Sequence, residues 1–242
     1  MENPILAMIP SGYNAADAKL YSILPSNGSG DFTVSVDADA TRINKEGLIE
    51  GVALNQARLT YDPLNPECPS LLLEPQRTNL ITYSEDFTQW IDTGVTVTPD
   101  YTASPFGDNS ASKLTSTANN WRRAIFINTT SGTLNTVSVY VKRDNSTNTV
   151  SARIEVANGA GAVACSFDLS KGSISGTLDD PFIIDVGNGW YRIGGTYTSN
   201  QVSNIIYIYP SSGYSIAGTM FFWGAQVEQG SYPTSYVPTV ST

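Results

Sequence analysis

Side chains able to do acid–base or metal chemistry are scarce in this sequence, and their types narrow the options. There is no histidine among its 242 residues. That removes Ser-His-Asp and Cys-His nucleophilic catalysis and histidine-ligated zinc, and it leaves lysine or carboxylate chemistry without the usual general base. Glycoside hydrolysis could still proceed with two carboxylates flanking one bond, one of them with a raised pKa. Asp37 and Asp39 would share one face of a strand, about 7 Å apart. Asp179-Asp180-Pro181 reads as a turn. Nothing in the neighbouring residues marks either pair as buried, so both are expected to be solvated surface. Cys68 and Cys165, the only cysteines, lack metal-knuckle spacing and are expected to be structural thiols, Cys165 as a small buried hydrophobe.

A structural calcium ion would need six to eight oxygen ligands from loops. Asp100, Asp108, Asp168, Asp179, Asp180 and Asp185 are candidates by type, but no loop has EF-hand spacing, so no residue is assigned and no other cofactor is expected. Aromatic side chains carry more information. Sugars present C–H faces that pack on the π faces of Trp and Tyr, while neighbouring amides and carboxylates take the hydroxyls. Trp121 stands in a polar setting between Asn119-Asn120 and Arg122-Arg123. Tyr207 and Tyr209 are two apart and share a sheet face, and Tyr214 follows the Ser211-Ser212-Gly213 turn. These four are the candidate ligand platforms. Trp190 and Trp223 read instead as core aromatics.

The elements that must position these residues are strands. Charged residues make up 14% of the chain, Tyr occurs 13 times, and Thr, Ser, Asn and Gly are abundant. That mix suits pleated surfaces and turns better than helices. The formal net charge of −9 argues against nucleic acid as the main partner, because phosphates need a surplus of Lys and Arg. Met1-Glu2-Asn3-Pro4 has no basic n-region, Ile5 to Ile9 is too short for a signal h-region, and no apolar run has transmembrane length. Neither a secretory leader nor membrane insertion is expected.

Two textures divide the chain. In residues 1–77, Phe32, Val34 and Val36 alternate as a half-buried strand, and Thr41 to Glu50 reads as strand, Gly-marked turn, strand. Prolines at 63, 66, 69 and 75 make residues 62–76 an extended connector. Residues 78–242 carry strand patterns at 134–142, 150–156, 162–168, 190–197, 204–209 and 220–228, separated by Asn/Gly/Ser turns. These spacings predict an antiparallel jelly-roll β-sandwich. Residues 98–120 read as a long polar loop. The fold class expected is therefore all-β, with an N-terminal extended/β anchor region ahead of the sandwich.

Three phrases add a resemblance. Phe221-Phe222-Trp223-Gly224-Ala225-Gln226 runs on to Tyr236-Val237-Pro238-Thr239. Cys68-Pro69-Ser70-Leu71 runs through Pro75-Gln76-Arg77-Thr78-Asn79-Leu80 to Tyr83-Ser84-Glu85-Asp86-Phe87. Further upstream lies Ile9-Pro10-Ser11-Gly12-Tyr13, with Ala40-Thr41-Arg42-Ile43-Asn44. In this order they resemble bacteriophage virion proteins, head or tail fibres and spikes, with a carbohydrate-binding-module-like jelly roll. Asp37-Ala38-Asp39 departs from that pattern. The resemblance implies a non-enzymatic virion component assembled in the host cytoplasm. Residues 1–77 would be the attachment and trimerisation region, and 78–242 the jelly roll. Its expected partners are two further copies in a homotrimer, a capsid or tail protein, and cell-surface glycans. The alternatives are a capsid decoration protein without glycan binding and a stand-alone carbohydrate-binding module.

Overall fold

The computed structural model describes residues 8–14, 19–22, 32–33, 40–117, 122–213 and 216–240. They fall into two compact units, Met1–Pro75 and Gln76–Thr242. The described residues are β-strands, turns and one short 3₁₀ turn, Phe87–Gln89, capped by Asp86. No helix among them is long and apolar enough to cross a membrane.

Unit 1 holds β1 (Met8–Asn14), β2 (Lys19–Ser22) and β3 (Phe32–Thr33) in a small antiparallel sheet. The expected alternation at Val34 and Val36 lies outside the described residues. The pattern from Thr41 to Glu50 forms the hairpin β4 (Ala40–Ile43) and β5 (Ile49–Val52), with Gly47 at φ +76° in its turn. The side chain of Asn44 accepts from the Glu46 and Leu48 amides and so closes that turn. β6 (Leu59–Asp62) and β7 (Asn65–Leu71) form a second ribbon. Much of the expected proline connector is thus a strand. Pro66 and Pro69 are tolerated because the ladder is irregular between Thr60 and Asp62, and a two-stranded ribbon leaves alternate amides without a ladder partner. Among the residues of this unit whose side chains are described, Ile49, Val52 and Ala57 are buried and Leu54, Leu64 and Leu73 are exposed.

Unit 2 is a sandwich of two six-stranded antiparallel sheets. Its strands are β8 (Ile91–Thr93), β9 (Val95–Thr102), β10 (Ala111–Ser116), β11 (Arg122–Asn128), β12 (Leu134–Arg143) and β13 (Ser151–Ala157). They continue with β14 (Ala162–Asp168), β15 (Ser173–Gly176), β16 (Asp179–Asp185), β17 (Trp190–Thr198), β18 (Ser203–Tyr209) and β19 (Gly218–Gln229). One sheet has the order β16-β17-β12-β19-β10-β9 and the other β15-β14-β13-β18-β11-β8. The six expected strands are β12, β13, β14, β17, β18 and β19. Two expectations change. Much of 98–120 is strand, in β9 and β10, where Ala111 and Leu114 are buried beneath polar neighbours. Asp179-Asp180-Pro181 opens the edge strand β16, at a register irregularity where Asp180 takes φ +42°. An edge is where a sheet accepts proline and a bulge.

The core lies between the sheets. Val137, Val139 and Val141 of β12 face Ala152, Ile154 and Val156 of β13 across it, with Cys165, Phe167, Ile193, Ile206, Ile208, Phe222 and Val227. β19 would turn its apolar residues outward halfway along if it ran straight. Gly224 prevents this. Ser138 pairs with Gln226 but Tyr140 with Trp223, so one extra residue bulges at Gly224, φ +58°. The bulge keeps Phe222 on one side and Ala225 and Val227 on the other all facing inward. A Cβ at Gly224 would lie 3.1 Å from the rings of Tyr140 and Tyr236, so both conformation and space require glycine.

Candidate functional site

The outer faces of the two sheets differ in what covers them. On the β16–β9 sheet, Ser138, Tyr140, Arg192, Trp223, Gln226 and Glu228 point away from the core yet are buried. Residues 232–239 roof them. Glu228 accepts from the Thr234 amide at 2.9 Å and its hydroxyl at 2.7 Å, Gln226 accepts from the Val237 amide at 2.8 Å, and Arg192 donates to the Thr234 carbonyl at 2.6 Å. Tyr236 stands against Trp223 and Tyr140, with ring centroids 4.5 and 6.0 Å away.

The two C-terminal-unit phrases of the sequence meet here. Asn79 donates to the Ala225 and Val237 carbonyls at 3.0 and 2.9 Å, and accepts from the Ile81 and Val227 amides. Tyr236 donates to Glu85 at 2.8 Å, and its hydroxyl is 2.7 Å from that of Ser84, which also takes the Thr239 amide. Burial raises the Glu85 pKa, partly offset by the Tyr236 hydrogen bond, and burial pushes Tyr236 well up. Trp190 and Trp223 are framework residues: their indole N–H groups donate to Ala103 and Ser110, at the two ends of the β9–β10 loop. The Arg192 guanidinium lies 5.3 Å from the centroid of the Tyr140 ring.

Among the described residues, the outer face of the other sheet is open in part: Phe126 and Ile91 are exposed on it, whereas Ala124, Glu155, Ala164 and Tyr209 are buried. The pairing register lays Ile91, Ala124, Tyr207, Glu155 and Ala164 in one row across five strands. A neighbouring row holds Tyr209, Arg153, Ser166 and Ser175, and another holds Phe126, Ile205, Ala157 and Ala162. Phe126 is 57% and Ile91 51% exposed, while Tyr207 is half-buried. The Arg122 guanidinium lies 4.0 Å from the centroid of the Tyr207 ring, fixing that ring's plane. Its Nη1 donates to the Tyr209 hydroxyl at 3.3 Å, and that hydroxyl donates to Glu155 Oε2 at 3.2 Å. Arg153 Nη2 also reaches Glu155, at 3.3 Å, and Arg122 Nη1 lies 4.0 Å from Glu155 Oε1. One buried carboxylate therefore organises two arginines and a tyrosine. The result is an apolar ledge (Ile91, Phe126, Ile205) and a braced aromatic ring beside a charged hydrogen-bonding cluster.

Of the four expected platforms, Tyr207 is in this face. Tyr209 is beside it, but with 0% exposure it serves as a brace and offers no ring to a ligand. The sequence signal was the shared face of residues two apart; the covering arginines were not legible in it. Trp121 and Tyr214 lie outside the described residues, as do Asp37 and Asp39. Asp179 and Asp180 are exposed on the edge strand. Asp108, Asp168 and Asp185 accept from the amides of Ser110, Ser170 and Gly187, respectively, and so close local turns. Among the described residues no group of three or more Cys, Asp or Glu side chains gathers as metal ligands. Arg122, Phe126, Arg153 and Glu155 were not among the expected site residues.

No protein-family model matches the chain, and no curated protein sequence does. Among solved structures, it is similar to the CBM22-1 xylan-binding domain of Paenibacillus barcinonensis Xyn10C (15% identity, TM-score 0.40), over 66% of this chain and 100% of that one. It is also similar to the enzymatically active domain of bacteriophage CBA120 tailspike protein 4 (16%, TM-score 0.37), over 62% of this chain. This chain spans only 21% of that tailspike chain. A third is TmCBM61 in complex with β-1,4-galactotriose (10%, TM-score 0.36), covering 63% and 99% of the two chains.

Proposed function

We propose that this protein binds glycans without cleaving them, through the open outer face of the β15-β14-β13-β18-β11-β8 sheet. The observation that carries this is the Tyr207 ring, half-buried, held by Arg122 and flanked by the exposed Phe126 and Ile91. A fixed aromatic surface with polar groups at its border matches the amphipathic faces of a pyranose. A flat sheet face suits a section of polysaccharide better than a small molecule. The reading is non-catalytic because hydrolysis needs two carboxylates across one bond. Glu155 at the centre of the face is engaged by Arg153 and Tyr209, and Asp168, two rows along, holds Ser170 and Lys171.

The sequence phrases support placing this module on a phage virion, as a head or tail fibre or spike. Residues 1–77 would then attach it to a capsid or tail protein and trimerise it. The exposed Leu54, Leu64 and Leu73 of unit 1 favour an assembled state. Three copies would raise avidity for a weakly bound sugar through effective concentration. Light scattering of the full chain, together with retention on a polysaccharide panel, tests both parts. A mass near three times 26.0 kDa with retention is expected. A monomer that is retained supports a stand-alone module, and a trimer that is not retained supports a decoration protein.

A further inference from the structure

The charge of the open face deepens this reading, on which it rests, by naming a class of sugar. The chain as a whole is acidic, with a formal charge of −9. The centre of this face is not. Arg122 and Arg153 stand on either side of the Tyr207 and Tyr209 column, their side chains 28% and 23% exposed, while Glu155 between them is 5% exposed. Further along, Asp168 lies within reach of Lys171. A ligand approaching Tyr207 therefore meets two partly exposed guanidinium groups, with the compensating carboxylate beneath them. Each guanidinium carries five N–H donors in a planar fork that matches a carboxylate. Ser166 extends the same row, accepting from Arg153 at 3.5 Å and donating to the Ser212 carbonyl at 2.6 Å.

We infer that the face selects acidic oligosaccharides, with Tyr207 under a sugar ring and Arg122 or Arg153 on a uronate carboxylate. The Arg122 guanidinium lies 4.0 Å from the Tyr207 ring centroid, so ring stacking and carboxylate binding fall within one residue's span of each other. Glu155 acts as a positioning residue, holding both arginines at the height of the ring.

The test uses the full chain and a panel of galacturonate, glucuronate, mannuronate and guluronate oligosaccharides, each beside its methyl-esterified counterpart. Calorimetry is run at about 0.02 M and about 0.5 M sodium chloride, where screening differs strongly. At least one acid form should bind about tenfold or more tightly than its ester, as losing a charge-assisted hydrogen bond implies. That preference should shrink at high salt. Arg153→Gln should reduce it, and Arg153→Lys should restore part of it. The salt dependence needs no variant, so a misfolded one leaves the test intact. Equal binding of acid and ester, unaffected by salt, overturns the acidic preference and leaves the glycan face standing. Tighter binding of the esters than of the acids overturns the carboxylate assignment. Retention of no sugar, acidic or neutral, overturns both.

Discussion

The two outer faces of the sandwich each carry a tyrosine, an arginine and a buried glutamate, yet they have become opposite things. On one, Tyr236, Arg192 and Glu228 close a hydrogen-bonded roof formed by the C-terminal segment. On the other, Tyr207, Arg122 and Glu155 form a cluster that stays at the surface. The side-chain types are nearly the same. What differs is whether a stretch of backbone arrives to satisfy the polar groups, as residues 232–239 do, or whether the side chains pair with one another and stay partly exposed. A satisfied, covered network rigidifies a fold, while an uncovered one is available to a ligand.

The largest effect should come from breaking the roof. Tyr236→Ala removes a ring with 1% exposure that packs on Trp223 and Tyr140. A loss of about 3–5 kcal/mol is expected, as for other buried aromatics cut to alanine, lowering Tm by about 10 °C or more. Thermal unfolding followed by circular dichroism measures it. A change under about 3 °C would mean that the roof is not part of the folded unit.

Asn79→Ala should come next. One amide joins the start of the unit to both β19 and the roof through four hydrogen bonds. Its removal strands buried backbone groups and should cost about 3 kcal/mol, visible as a lower denaturant midpoint with an unchanged m-value. If the m-value falls as well, the roof is opening independently of the sandwich.

A smaller, pH-dependent effect belongs to Glu85. Its folded pKa is raised above the ordinary 4.5, chiefly by burial. The folded state then holds the proton more tightly than the unfolded state. The stability it contributes is fully present below pH 4.5 and is lost as the pH rises through the raised value. Glu85→Gln is neutral throughout, so its Tm relative to the parent should be highest near neutrality and should fall back as the pH drops toward 4.5. A difference that is constant, or that grows on acidification, would show that the carboxylate is not strained by burial.

These faces were unequally legible in the sequence. Strict alternation around Val137-Val139-Val141 and Ala152-Ile154-Val156 revealed the core because each of these residues faces the opposite sheet. The phrases around Asn79 and Trp223 stood out, and the structure shows them as the two halves of one clasp. β11 was not legible. In Arg122-Arg123-Ala124-Ile125-Phe126-Ile127 every apolar position could face inward, and one arginine is buried while the other is not. Arg123 is drawn inward by the Trp90 and Val95 carbonyls, and nothing local to its sequence announces them. Tyr209 failed as a platform for a similar reason: it is fully buried, its hydroxyl engaged by Arg122 and Glu155, partners set by pairing distant in sequence. Residues 98–120 read as loop because Thr, Ser and Asp dominate, although β9 and β10 need only Val95, Ala111 and Leu114 inside.

The most direct test is the same substitution on the open face, Tyr207→Ala, compared with the parent for polysaccharide binding and Tm in parallel. Tyr207 is half-buried and pairs with the Arg122 guanidinium, 4.0 Å from its ring centroid, so Tm should fall by only about 2–4 °C. Affinity for whichever glycan the parent binds should drop at least about tenfold. A variant that binds as the parent does, or one that loses as much stability as Tyr236→Ala, would contradict the assignment of this face as the ligand surface.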